Sequence, residues 1–313
     1  MNDNPTEKPA EPLKLSVQRR LEFIDFRLLW SGRFNRQDLS DTFQISSQQA
    51  SADIAAYQER APANLDYDRA QRTYVRAGTF RPLFMQGETD RYLLQLVGIQ
   101  SGWIRKEDTY FDSLPPSEVV ALERRRTGWQ VLQSVLDAIR DRLEIEVAYN
   151  SITSPDKKEM RWIAPHAMVY SQGRWHVRAW SRERNEFRDF NLNRIDDIGE
   201  RRPVKIDVAL DYEWNTTFDL RLCANLRLAE NTRTAVEWDY KMTDGVLTKT
   251  IRLSHIFYLK IEHLLDVMPG VLPAEQQQLL PLNLEEAKAE QALARKMSKE
   301  ALKRVESSFS KPE

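Results

Sequence analysis

Ile163-Ala-Pro-His-Ala-Met-Val-Tyr-Ser-Gln-Gly-Arg-Trp-His-Val-Arg-Ala-Trp180, followed after a charged break by Phe187-Arg-Asp-Phe-Asn-Leu-Asn-Arg-Ile195, decides how the middle of this chain folds. Val169, Tyr170, Trp175, Val177 and Trp180 have high strand propensity and flank Ser171-Gln-Gly-Arg174, a turn sequence, so a hairpin is expected. A further strand follows the polar connection from Ser181 to Glu186. With a side-chain period of two, Phe190 and Leu192 share a face of that strand with Arg188 and Arg194. Upstream, Leu143-Glu-Ile-Glu-Val-Ala-Tyr149 alternates strictly and reads as another strand, and Asn150 to Lys158 as a polar loop. Arginines at both ends of an apolar face make a candidate anion grip, since guanidinium donates bidentately to phosphate.

The 313 residues exceed one ordinary core and predict two or three domains. The net charge of −1 offers no global attraction to nucleic acid, so DNA binding would depend on local basic patches. Cys223 is the single cysteine, and His166, His176, His255 and His263 have no metal-ligand spacing, so neither disulfide, metal nor cofactor is expected. No apolar run approaches the roughly 20 residues that cross a bilayer, and the polar start is unlike a signal peptide, which points to a cytoplasmic protein. Serine elbow, phosphate loop and His-Glu metal motif are all missing from the sequence, and Asp196-Asp197 marks a strand end rather than an acid/base pair, so the chain is not expected to be an enzyme.

Outward from the centre, residues 1–13 read as a disordered leader. Ser16 offers an N-cap to a helix running through Val17, Leu21, Ile24, Leu28 and Leu29 to Gly32. Phe34 to Phe43 is a short helix, Gln44-Ile45 a tight connection, and Ser46 the cap of a third helix from Ser47 to Tyr57 with Ala50, Ile54 and Tyr57 inward. Leu65 to Val75 then reads as two short strands around a polar turn. Two short helices followed by such a hairpin are the pattern of a winged helix-turn-helix. Ser46, Ser47, Gln48, Gln49 and Ser51 become candidate base readers, because glutamine pairs bidentately with adenine and serine is permissive. Lys and Arg are missing between Ser46 and Ala56, so phosphate contacts fall to Arg36, to Arg69 and Arg72 in the wing, and to the amide end of the helix.

Phe80 to Gly102 is an apolar connector, helical from Thr89; Ser117 to Arg142 reads as helix softened at Gly128, with Arg124-Arg-Arg126 a basic patch. Pro203 to Leu210 reads as a strand. Thr234 to Tyr240, a turn at Thr243-Asp-Gly245, and Leu247 to Leu253 read as a hairpin before a helix from Ile256 to Val267, a small α+β module. Residues 285–313 form an amphipathic, charged tail.

The central stretch resembles a WYL domain, with Trp175-His-Val177 at the position of the name triplet, of which only Trp175 is kept, and Arg188 to Ile195 similar to the closing arginine-bounded strand. The resemblance implies an SH3-like β-barrel that senses ligands, often nucleotides or nucleic acid. The N-terminal part resembles the winged helix-turn-helix of DeoR-like regulators. Asn225-Leu-Arg-Leu leading into Val236-Glu-Trp-Asp-Tyr240 and Ile251-Arg-Leu-Ser-His255 resembles the WYL regulators encoded beside anti-phage systems, the BrxR group of BREX loci and the CapW group of CBASS loci.

The expectation is therefore an α+β multidomain chain: leader 1–13, winged helix-turn-helix 14–105, linker helices 106–142, WYL domain 143–202, C-terminal dimerisation extension 203–284 and helical tail 285–313. Its function would be that of a homodimeric repressor of a phage-defence operon, binding double-stranded DNA at an inverted repeat and relieved by an anionic nucleotide or nucleic-acid effector. Tyr149, Ser151, His166, Arg174, Trp175, Arg188 and Arg194 are the candidate effector ligands. Trp175 serves equally as core, His166 as a strand hydrogen bonder and Arg174 as a solvated turn residue. The alternative is a nucleotide- or nucleic-acid-binding accessory protein that regulates no promoter.

Overall fold

The computed structural model describes residues 13–85, 89–122, 125–152 and 159–309. Residues 1–12 of the leader, Arg124 and most of the 150–158 loop fall outside them. The chain divides into two compact units, 1–122 and 123–313.

In the first unit α1 (Leu15–Phe26) runs through a π-turn to Gly32, whose φ of 74° ends it. Lys14, not Ser16, is its N-cap, without a side-chain bond. Then come β1 (Arg33–Phe34), α2 (Arg36–Phe43), α3 (Ser47–Arg60), β2 (Leu65–Asp68), β3 (Thr73–Arg76) and α4 (Thr89–Gln100). Asn35 and Asp38 close a capping box on α2, and Ser46 Oγ accepts from the Gln49 amide at the start of α3, each cap contributing about 1 kcal/mol. Ala50, Ile54 and Tyr57 are buried in one cluster with Leu21, Ile24, Leu28 and Leu39, so α1 and α2 fix the roll of α3. The three short strands pair in the order β1-β3-β2, forming the wing.

The second unit opens with α5 (Trp129–Asp141), which starts only after Gly128, at its N-cap; no helix precedes it among the described residues from Ser117 on. Pro115 and Pro116 stand just ahead of this irregular run, and proline cannot supply the amide a helix needs. Val131, Val135 and Ala138 of α5 pack on a sheet built from β4 (Leu143–Tyr149), β5 (Glu159–Ser171), β6 (Arg174–Ser181), β7 (Glu186–Asn191) and β8 (Ile195–Pro203). Ser171 faces Arg174 across the β5–β6 turn, where Gln172 and Gly173 have φ of 50° and 69°, as a two-residue hairpin of this twist demands. Pro165 sits at a register shift in β5, the kind of position where a strand tolerates a missing donor.

The order β7-β6-β5-β4-β8 is antiparallel throughout and open. The closed barrel implied by the WYL resemblance is thus corrected to a bulged five-stranded sheet whose end strands are not paired with each other among the described residues. The strand expected from Phe187 to Ile195 stops at Asn191, because Leu192–Arg194 turns as a 3-10 helix capped by the Asn191 side chain.

The remainder is α6 (Tyr212–Asn215), β9 (Thr217–Ala224), α7 (Glu230–Asp239), β10 (Val246–Arg252), α8 (Ile256–Glu262), β11 (Leu279–Pro281) and α9 (Leu284–Phe309), with sheet order β10-β9-β11. Four expectations are corrected here. Pro203 to Leu210 is a strand end and a 3-10 turn. Thr234 to Asp239 belong to a helix with Tyr240 as its C-cap: Val236 is buried while Trp238 is 83% exposed, which a strand face of period two would not give. The partner of β10 is β9, whose Leu220, Leu222 and Ala224 alternate into the core. Finally α9 packs on β7 and β9 rather than trailing as a tail.

Candidate nucleic-acid interface and a cationic cleft

The exposed N-terminal turn of α3 carries Ser47 and Gln48, whose side chains form no hydrogen bond among the described residues. Gln49 is exposed too, but its Nε2 donates to Asp53 Oδ1 at 3.1 Å. Asp53 in turn takes the Arg20 guanidinium through Nε at 2.6 Å and Nη2 at 3.1 Å, tying α3 to α1. Ser51 Oγ donates to the Ser47 carbonyl at 2.9 Å and accepts from Arg36 Nη1 at 3.3 Å. Arg36 and Ser51, separate suggestions from sequence, thus meet across the turn between α2 and α3. Arg69 and Arg72 stand exposed in the wing, Arg72 with a φ of 52°. Beside them Tyr67 packs on Tyr74 at 4.9 Å, a solvent-facing aromatic pair that sequence reasoning passed over.

Beneath this unit a fully buried carboxylate acts as fastener. Asp25 Oδ2 accepts from the Leu83, Phe84 and Met85 amides, and Oδ1 from the Tyr57 hydroxyl at 2.5 Å. Burial raises its pKa, only partly offset by those neutral donors.

In the second unit a cleft of about 630 Å³ opens between the β6–β7 face and the helices α8 and α9, within the range of small-molecule sites. Of the sequence candidates, Tyr149, Arg174, Arg188 and Arg194 line it. Three do not. Ser151 is not among its lining residues. Trp175 stacks on Tyr170 at 5.0 Å, on the face of β6 opposite His176. His166 is buried, with Nε2 3.0 Å from Asp211 Oδ2.

The charge balance of the cleft is positive: Arg174, Arg178, Arg188, Arg194, Arg295 and Lys299 face Glu186, Asp189 and Glu213, six cations against three carboxylates. Arg178 is the most buried of them and was missed. Its Nε and Nη2 hold Asp211 at 2.8 Å each, with Glu213 at 3.3 Å and Asp189 at 3.4 Å. Burial alone would raise the pKa of Asp211, but the bonds from Arg178 and His166 bring it below the ordinary carboxylate value. This network spends Arg178 internally, whereas neither Arg174 nor Arg194 has an ion pair among the described residues and Arg188 reaches only Glu186, at 3.5 Å. Glu144 on β4 is fully buried and taken by Arg182 and Arg202 at 2.7 and 3.1 Å. His176 Nδ1 and Ser254 Oγ, both in the cleft lining, are buried without a hydrogen-bond partner. Burial also lowers the His176 pKa, against the opposing charge of Asp189, and the charges of Arg174 and Arg194 push the same way as burial.

The 3-10 turn that carries Arg194 is gripped from behind. Arg125 donates to the carbonyls of Asn193 and Ile195 at 2.9 and 3.1 Å and to Asp196 Oδ1 at 2.7 Å, and the Asn193 amide returns a bond to the Arg125 carbonyl.

Comparison with known proteins matches the same three parts. Residues 16–98 fit the model of the BrxR transcriptional regulator winged helix-turn-helix domain, 130–199 the WYL domain, and 217–287 the BrxR transcriptional regulator C-terminal dimerization domain. A DNA-binding transcriptional repressor CapW from Stenotrophomonas maltophilia is 37% identical over 282 residues, 89% of this chain and 93% of that protein. The chain belongs to the CapW/BrxR family of WYL regulators. Repressors of the same name from Pseudomonas aeruginosa and Escherichia coli (strain KTE188) are 37% and 35% identical, over 82% and 81% of this chain and 86% and 85% of theirs. The matched family domains end at residue 287, so Arg295 and Lys299 lie beyond them. No helix among the described residues is long and apolar enough to cross a membrane, and no group of three or more His, Cys, Asp or Glu among them could hold a metal ion.

Proposed function

We propose that this CapW/BrxR family member is a homodimeric, sequence-specific DNA-binding repressor of a phage-defence operon, acting in the cytoplasm and released from its operator when a nucleotide or nucleic-acid effector occupies the cationic cleft. The observation that carries the DNA-binding half is the first turn of α3, with Ser47 and Gln48 exposed and uncommitted while the opposite face is locked on α1 and α2. Such a turn suits base edges in a major groove, with Arg36 and the wing arginines Arg69 and Arg72 toward phosphates. The dimer rests on the match to a dimerization domain; two-fold symmetry then sets half-sites about 34 Å apart or a multiple of that. The effector half rests on the arginines without carboxylate partners and on the unpartnered buried atoms of the cleft. An effector releases DNA only if it binds the DNA-free conformation better than the DNA-bound one.

A gel-shift titration on the DNA upstream of the chain's own operon, with scrambled competitor and varied salt, tests this. Preference for the upstream DNA by about a thousandfold or more is expected. Equal affinity for both DNAs would replace the repressor by an accessory nucleic-acid-binding protein. Arg188→Ala should keep operator binding and lose effector-driven release. BREX or CBASS genes beside the coding sequence would support the operon assignment, and their absence would remove it.

A further inference from the structure

The last 26-residue helix, expected from sequence to be a charged tail, is instead part of the cleft. Its inner line is Ala294, Ser298 and Leu302, at the four-residue steps that stack side chains on one helix face. Leu302, 1% exposed, inserts among Ala164, Trp180 and Phe187 of the five-stranded sheet, and the Tyr212 amide donates to Ser298 Oγ at 3.1 Å. That seat sets Arg295 and Lys299 over the cleft mouth. There Arg295 Nε lies 3.0 Å from Glu213 Oε1 and Lys299 Nζ 3.5 Å from Glu186 Oε2, with both cationic side chains more than half exposed.

We infer that α9 is a phosphate-binding wall of the effector site, Arg295 and Lys299 leaving Glu213 and Glu186 to take phosphate groups of a nucleotide that also meets Arg188. This rests on the reading of the cleft as the effector site. At Lys299 the exchange is energetically open, because a solvent-exposed ion pair holds about 0–1 kcal/mol, whereas charge-assisted bonds to phosphate are stronger; at Arg295 the carboxylate side is buried, so leaving it costs more and depends on a phosphate that binds Arg295 strongly. Glu186 is partly solvated, and Glu213 keeps Arg178 on Oε2 while its buried Oε1 gives up Arg295. Independent of these charges, Ser254 is 4% exposed with a hydroxyl lacking any partner, and it lines the same cleft, as does His176 with its orphaned Nδ1. Phe257, 57% exposed on α8 in the cleft lining, gives a base a stacking face.

The test uses the full chain and two probes, ATP and a short 5′-phosphorylated oligothymidylate, followed by calorimetry and by anisotropy at several salt concentrations. Binding that Arg188→Ala removes is cleft binding, and the probe that shows it identifies the source of the phosphate, free nucleotide or strand end. Arg295→Gln and Lys299→Gln should each weaken that binding about tenfold, as loss of a charged hydrogen bond does. For the oligonucleotide each should lower the salt slope by about one. Glu186→Gln should tighten binding severalfold, up to about fivefold, by removing the competitor for Lys299. A double Arg295→Gln, Lys299→Gln chain that binds like wild type, with its salt slope unchanged while Arg188→Ala has lost binding, overturns the role of α9 and leaves the cleft as effector site. Absence of any Arg188-dependent binding overturns both.

Discussion

Asp25 in the N-terminal unit and Asp211 in the C-terminal unit are both 0% exposed, and they are kept there by opposite means. Asp25 is surrounded by neutral donors, three backbone amides and a tyrosine hydroxyl, and its pKa rises. Asp211 is held by a guanidinium on two atoms and by a histidine, and its pKa falls. The first carboxylate substitutes for secondary structure, fastening a loop that has no strand partner to the helices behind α3. The second is part of an ionic base under a cleft, where Arg178 is neutralised from below so that the arginines above it keep their charge for something else. A buried charge matched by dipoles makes a joint, while one matched by countercharge makes an electrostatic foundation.

The amide analogues should separate the two most sharply. Asp211→Asn leaves Arg178 with only its longer contacts to Glu213 and Asp189, and a buried pair broken on one side costs about 3–5 kcal/mol. Melting of the C-terminal unit should fall by about 10 °C. Asp25→Asn can still accept from the 83–85 amides through its carbonyl while its amide faces the Tyr57 hydroxyl, so a cost of about 1–2 kcal/mol is expected. Equal losses in the two variants, measured by calorimetry, would erase the distinction.

Acid should part the units in the same sense. Histidines 176 and 255 have pKa values lowered first by burial, so below their unfolded value of about 6.5 the unfolded chain takes up protons more readily, and stability falls with pH toward their folded values. Asp211 acts only below the range of the calorimetric scans: its stabilisation is present above about pH 3.9 and is lost as pH falls through its depressed folded value. Asp25 runs the other way, since a raised folded pKa makes the native state the better proton acceptor as pH falls through that value. Each group contributes at most about 1.4 kcal/mol per pH unit within its window. Calorimetric scans at pH 7, 5.5 and 4, with the C-terminal transition identified by its shift in Asp211→Asn, should show that transition falling faster. The N-terminal transition falling first would contradict the assignment.

The next contrast lies within α3. Gln49 was as legible in the sequence as Gln48, yet its amide is spent on Asp53, so Gln48→Ala should relax base preference at one operator position by about 1–3 kcal/mol and Gln49→Ala by less. Binding-site selection with both variants measures this; a larger shift for Gln49 would mean that its bond to Asp53 opens on DNA.

What the sequence disclosed follows the same division. The N-terminal unit was readable because its signals are local: the Ser46 cap, the Ala50-Ile54-Tyr57 stripe and the polar wing turn each span a few residues. The cleft was half readable. Arg188 and Arg194 stood out as cations beside apolar strand positions and Arg174 as a cation in the hairpin turn, but Arg178 looked like one more alternating residue until Asp211, 33 positions away, came to meet it. Arg295 and Lys299 lay in a segment whose composition suits a solvated helix, and only the burial of Leu302 among strand residues far upstream places them at a site. Thr234 to Tyr240 misled because Val, Trp and Tyr raise strand propensity, which tertiary packing overrode in favour of a helix buried through Val236.

The smallest effect expected concerns Arg125, which touches neither DNA-facing nor cleft-lining side chains. Its three donated bonds hold the 3-10 turn from behind, while Arg194 on that turn faces the cleft without a carboxylate. Because the Arg125 side chain is about half exposed, each bond is exchangeable with water, and the net contribution is on the order of 1 kcal/mol. Arg125→Ala should therefore leave operator affinity unchanged, speed hydrogen exchange at residues 192–196, and weaken effector binding by no more than about fivefold, since a turn no longer held must be ordered by the ligand itself. Faster exchange with unaltered effector affinity would show that Arg194 contributes through its charge alone and that the stiffness of its turn is immaterial.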